Sequence, residues 1–273
     1  MKYYYLISLL PTLDLEDDSY SLEQLDELLD QISSNLADED REFLNYLLHE
    51  NDNQNLLYIL FKEYKDFEIR TFNQPLSIPM EVLQNYRRSY ASLPSYLIDY
   101  LNDFAGTFSS MSMTEMEQNL NRYFYDSLLQ QNCLFLHTYY AWLFQLKQTI
   151  SELNQKTFPF LPTATETAEP FFPKVRTLNS LKNREEVVNQ LMPSILSGDL
   201  EGIERSINER YRDFANEWQE PFSADQVFAY VVLLVRQYRW NVLTSQKNKD
   251  QTGFDQLIES IKDKKPSPKM PVI

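Results

Sequence analysis

The sequence predicts an all-α fold, a two-lobed helical bundle. Three observations carry the helical prediction. Glycine is scarce, with four in 273 residues, whereas sheets spend glycine on tight hairpins and bulges. Three serine-led capping boxes mark helix starts. Apolar side chains recur at steps of three and four, the spacing of one helical face.

The capping boxes are Ser21-Leu22-Glu23-Gln24, Ser112-Met113-Thr114-Glu115 and Ser223-Ala224-Asp225-Gln226. In each, the serine hydroxyl can accept from the third helical N–H while the Glu or Gln reaches back to the serine N–H. Asn183 with Glu186 is a weaker version. Gly198-Asp199 predicts one helix ending on glycine and the next capped by aspartate. Pro79 and Pro94 suit first turns, where a missing N–H costs nothing.

The apolar stripes agree. Leu22, Leu25, Leu29 and Ile32 share a face, as do Met116, Leu120, Tyr123 and Phe124. Phe135, Tyr139, Trp142, Leu146, Ile150 and Leu153 form the clearest stripe and predict a helix of about six turns. Such a stripe reads first as core and second as the wall of a hydrophobic pocket. Val227, Tyr230, Val231, Leu234 and Tyr238 predict a C-terminal helix that ends near Arg236, Arg239 and Trp240. Basic residues there would complement the helix dipole. Met1 to Leu10 predicts a first core element rather than a signal peptide, because no small-residue cleavage site follows. Residues 69–78, with Ile69, Thr71 and Phe72, fit helix poorly and could be extended.

Pro159, Pro162, Pro170 and Pro173, with Phe158, Phe160, Phe171 and Phe172 beside them, predict a linker over 157–182. It separates an N-terminal lobe, 1–156, from a C-terminal lobe, 183–265. Burying a Phe contributes roughly 1.5–3 kcal/mol and ordering a backbone residue costs roughly 1–2 kcal/mol. Both Phe-Pro clusters should therefore dock, with Thr163–Glu169 between them mobile. The tail from Lys262 should fray.

Composition bounds the partners. With 43% hydrophobic and 24% charged residues the chain can bury a core. The single cysteine, Cys133, cannot form an internal disulfide and points to a reducing, cytoplasmic setting. No stretch approaches the roughly 20 apolar residues that span a bilayer, so no direct membrane insertion is expected. The net charge is −15, and residues 1–60 hold 14 acidic and two basic side chains. Nucleic acid is an unsuitable partner for such a surface. The acids Asp14, Glu16, Asp17, Asp18, Glu23, Asp26 and Glu27 form either a solvated face or a docking surface for a basic partner.

No motif carries chemistry. There is no phosphate-binding loop and no G-x-S-x-G elbow. Cys133 and His137 lie four apart, but a zinc site needs about four ligands. The run Asp14–Asp18 alternates carboxylates like a calcium loop, yet Ser19 and Leu25 stand where Gly and Glu belong. Neither a cofactor nor a metal is expected, nor is catalysis, although carboxylate pairs assembled only in the fold stay open.

Several segments together resemble a known family. They are Lys2-Tyr3-Tyr4-Tyr5-Leu6 with Leu10-Pro11, Asp40-Arg41-Glu42-Phe43-Leu44, Asn53-Gln54-Asn55-Leu56-Leu57, the Leu93-Pro94 start, and Phe222–Trp240 followed by Gly253-Phe254. They resemble a bacterial domain-of-unknown-function family commonly encoded beside V-type ATPase subunits. That family is similar to the ATPase subunit called C in bacteria and d in eukaryotes, an all-helical funnel on the membrane proteolipid ring that receives the central axle. The resemblance implies a reduced funnel as the alternative to a two-lobed bundle, since that subunit is longer, and a non-catalytic subunit or accessory factor, peripheral to the inner membrane, with ring and axle as partners. Where the family's long helix carries a Glu and later an Arg-Asn pair, this chain has Leu143, Lys147 and Gln148. Lys147 keeps the charge without the planar fork and joins the candidate contact residues. A helical adaptor of another complex, or a small-molecule binder using the aromatic interior, are the alternatives.

Overall fold

The structure, a computed structural model, describes residues 2–15, 20–69, 71–157, 172, 175–178, 184–218 and 220–249. Of the described residues 73% are helical and none is in a strand.

Ten α-helices follow in order. They are α1 (Tyr4–Leu9), α2 (Leu22–Asn35), α3 (Asp38–Lys65), α4 (Met80–Gln84), α5 (Ser95–Phe104), α6 (Met113–Leu129), α7 (Leu134–Thr157), α8 (Arg184–Ser197), α9 (Leu200–Asn216) and α10 (Ala224–Lys249), with a 3₁₀ turn at Tyr90–Ser92. No described helix is long and apolar enough to cross a membrane.

The caps act much as expected. Ser21 and Ser112 each form the full reciprocal box with Gln24 and Glu115. The third box is altered. Ser223 Oγ accepts from Gln226 N at 3.1 Å, but the Gln226 side chain accepts from Phe222 N instead of Ser223 N. Phe222 sits at φ 64°, which turns its N–H toward α10. Gly198, at φ +70°, ends α8 in the left-handed region, and Asp199 accepts from Gly202 N at 3.0 Å to start α9. Asn183 lies outside the described residues. Pro79 and Pro94 occupy the N-cap positions of α4 and α5.

The predicted aromatic stripe is α7, 24 residues long. Its rings meet α9, with Phe135 5.7 Å and Trp142 4.7 Å from Phe214. Such pairs contribute about 0.5–1.5 kcal/mol each beyond area burial. A second ring series joins His49 of α3 and Tyr96 of α5 through Phe124 of α6 to Tyr140 of α7.

The two segments on either side of the linker share one buried cluster running from Tyr3 to Tyr238. α10 packs on α2 and α3 as well as on α9, and α7 packs on α8. The lobes therefore describe order along the chain, not separate cores. Of the four linker phenylalanines, Phe172 is described; it is buried against Tyr125 and His137. Arg176 N donates to Thr138 Oγ1 at 3.0 Å, docking the linker's end on α7. Phe158, Phe160, Phe171, the stretch Thr163–Glu169 and the tail from Lys262 lie outside the described residues.

Two expectations are corrected. Residues 71–79 form no strand; they run irregularly over α3, held by its side chains. α10 does not end near Trp240 but continues to Lys249. Arg236 and Arg239 thus sit too far from its end to feel the terminal dipole, which acts within the last turn. Their partner is a side chain of α9.

Candidate functional site

The predicted contact residues fall in two places. Glu23 and Glu27 lie exposed on the outer face of α2. Asp26 is on the same helix, but accepts a hydrogen bond from Tyr238 of α10. Asp14 pairs with Arg212 of α9 at 3.1 Å. These two acids bind the first residues of the chain to its last helices. Glu16, Asp17 and Asp18 lie outside the described residues. On α1, Tyr5 turns outward, 72% exposed, with Tyr4 tilted against Phe222 at 4.7 Å and Leu9 also exposed. Lys2 and Tyr3 anchor this aromatic strip on Asp40, at the start of α3.

Lys147 is elsewhere, on α7, paired with Glu50 of α3. Over half of its side chain is exposed, at 56%, yet desolvation is the largest influence on its ammonium and would lower its pKa. The Glu50 charge overrides that effect and holds it protonated. Glu50 also acts on Tyr139, Tyr211 and Arg239.

A second ion cluster joins α9 and α10. Glu204 of α9 accepts from Arg236 at 2.6 Å and from Arg239 at 2.5 Å. Burial alone would raise the Glu204 carboxyl, but Arg239 and then Arg236 outweigh it and hold it at about 2. Arg236 also donates from Nε to Asn208 Oδ1 at 3.0 Å and lies 4.8 Å over the Tyr211 ring. Burial keeps the Tyr139 and Tyr211 phenols protonated. Of these charges the sequence names Lys147 as a contact candidate and Arg236 and Arg239 as complements of a helix end; Glu50 and Glu204 come from α3 and α9.

A third polar cluster is structural. Asp52 accepts from Ser77 N and Ile78 N, both at 3.3 Å, and from Ser77 Oγ. Asn55 exchanges two hydrogen bonds with Asn73, at 2.8 and 3.0 Å, and Tyr96 donates to Asn53 at 2.7 Å. This row clasps residues 71–79 to α3. Burial raises Asp52 to about 7 and lowers His49 to about 3. Cys133 is buried, its thiol pushed up to about 11 mainly by burial. His137 meets the Leu128 carbonyl at 3.3 Å. Among the described residues no group of three or more His, Cys, Asp or Glu is placed to hold a metal ion.

Neither a curated protein nor a solved structure matches this chain significantly. A family profile does, over residues 1–159, which takes in α1 to α7 and most of the acidic face. The chain belongs to the family described as "Protein of unknown function (DUF2764)".

Proposed function

We propose that this protein is a non-catalytic subunit or accessory factor of a V-type ATPase, linking the proteolipid ring to the central axle from the cytoplasmic side. The observation that carries the proposal is the set of segments quoted above, from Lys2–Leu6 to Phe222–Trp240, which resemble a family encoded with that enzyme. The helical body supports it: a torque-passing part needs rigidity, and one core spanning α1 to α10 supplies it. The exposed Tyr4, Tyr5 and Leu9 of α1 support a protein contact surface, as do the exposed acids of α2. A basic partner would be steered there by charge.

The test is capture of the tagged protein from native membranes in mild detergent, with identification of what is retained. The expected result is recovery of ring and axle subunits. Purification of the intact ATPase without this chain would overturn the proposal. A consistent set of other proteins would assign the chain to a different complex.

A further inference from the structure

We propose that the lysine-rich segment 262–269 of this chain docks on the outer face of α2 and covers it until a basic partner displaces it. The displacement rests on the reading of that face as a contact surface. The docking itself does not depend on which complex supplies the partner.

That face has no partner within the described structure. Leu25, Leu28, Leu29 and Ile32 turn α2 toward the core. On its other side Glu23, Glu27 and Asp30 stand exposed at steps of four and three, a single line of carboxylates. Leu22 is exposed at the start of the same helix. α2 carries no Lys or Arg, and the basic side chains of residues 1–60 are Lys2 and Arg41. Both are committed elsewhere. Lys2 pairs with Asp40, and Arg41 with Asp38 and the carbonyls of Ser33 and Leu36. Among the described residues no ion pair reaches Glu23, Glu27 or Asp30. Like charges one turn apart repel, so the face gains from an added cation.

The chain carries the complementary charge within reach. α10 runs antiparallel to α2, for Tyr238 donates to Asp26 and Asn241 donates to the Tyr20 carbonyl. The end of α10 at Lys249 therefore passes the start of α2. Residues 250–261 hold no Lys or Arg, whereas 262–269 hold Lys262, Lys264, Lys265 and Lys269 against Asp263. The return from Lys249 to Asn241 is about 12 Å of helix, and from Tyr20 to Asp30 about 15 Å more. The chain from Lys249 to Lys262 spans at most about 43–47 Å, so the lysines reach the whole line. The spacings also agree. Lys265 and Lys269 enclose Pro266 and Pro268, and at the polyproline rise they stand about 12 Å apart. Glu23 and Asp30 are about 10 Å apart along their helix. Exposed ion pairs are individually weak and are screened by salt. The tether offsets this by making the docking intramolecular, at an effective concentration of about millimolar. A cover held in this way yields to a partner that brings more positive charge.

The test is zero-length carbodiimide cross-linking of the full chain, dilute and at low salt, as a mixture of unlabelled and isotope-labelled protein. Peptide mass spectrometry then locates each linkage. Linkages from Lys264, Lys265 or Lys269 to Glu23, Glu27 or Asp30 should form within single chains and drop severalfold at high salt. Glu23→Gln with Glu27→Gln and Asp30→Asn should abolish them and leave the unfolding transition in place. Binding of a fluorescent octalysine peptide reads the displacement. Lys264→Gln with Lys265→Gln and Lys269→Gln should bind it severalfold more tightly than wild type, a gain that a damaged fold cannot produce. Absence of linkages to α2, linkages spread evenly over acids elsewhere, or linkages only between labelled and unlabelled chains would each overturn the docking. Equal octalysine binding by wild type and the lysine variant would overturn the cover.

Discussion

Asp52 and Glu204 are both carboxylates withdrawn from water, and they end on opposite sides of their ordinary range. Asp52, on α3, is fully buried and meets only neutral donors, the Ser77 and Ile78 N–H groups and the Ser77 hydroxyl. Tyr96 also faces it, and His49, one turn earlier on the helix, is held neutral by burial. Asp52 rises to about 7. Glu204 meets two guanidiniums and falls to about 2. Neutral hydrogen bonds to a buried carboxylate do not replace its lost hydration, whereas full opposite charges do. The clasp on α3 is a buried acid tolerated for its hydrogen bonds; the α9–α10 cluster is a buried acid fastened by charge.

The largest predicted effect breaks the charged member. Glu204→Ala leaves Arg236 buried beside Asn208 without a counter-ion and should destabilise the protein by about 3–5 kcal/mol in urea unfolding. Replacing both partners, as in Glu204→Leu with Arg236→Met, should recover much of that loss. No recovery would mean that the pair stabilises the fold beyond offsetting its own desolvation.

The next prediction uses pH to separate the two acids. Glu204 is depressed, so its contribution is fully present above about pH 4.5 and is lost as the pH falls toward 2. Asp52 is raised, so between its ordinary 3.8 and about 7 the native state binds more protons than the unfolded chain. Its contribution is therefore greatest below about pH 4 and declines as the pH rises to about 7. Asp52→Asn should remove that decline. The variant should match wild type near pH 4 and be about 1–3 kcal/mol more stable at pH 8. An unchanged pH slope from thermal melts would show that Asp52 is not the group titrating.

Smaller effects provide a solvated reference. Ser112→Ala removes an exposed reciprocal cap and should cost about 1 kcal/mol by the same melts, independent of pH above 5. Glu23→Gln with Glu27→Gln should change stability by less than about 0.5 kcal/mol. The same double change should reduce capture of a basic partner and flatten its salt dependence, which a pull-down at two salt concentrations reads directly.

What was legible in the sequence follows from range. The α7 stripe and the Ser21 and Ser112 caps depend on residues within a few turns of one another, and periodicity reports them. The ion pairs Lys147–Glu50 and Arg239–Glu204 draw on four helices, and no spacing reports them. Arg236 and Arg239 looked like a helix end because the apolar run stops near them; the helix continues in polar residues to Lys249. Asp52, Asn53 and Asn55 interrupt the apolar pattern of a 28-residue helix; Asp52 and Asn55 are buried because their partner is the irregular backbone of 71–79, and Asn53 because it accepts from Tyr96 of α5. Side-chain polarity predicts exposure only when no backbone elsewhere needs that hydrogen bond.

The anchoring of the first residues has a further consequence. Tyr3 N donates to Phe222 O, Tyr230 donates to the Pro11 carbonyl at 2.9 Å, and Asp26 and Tyr20 accept from Tyr238 and Asn241. The beginning of the chain is thus seated on its last described helix, across more than 200 residues of sequence. During synthesis α1 and α2 leave the ribosome long before α10 exists, so the apolar faces they present to it must wait, uncovered, until α10 has been made. Such long-range closure slows folding. It makes the waiting N-terminal segment the part of the nascent chain most in need of a chaperone.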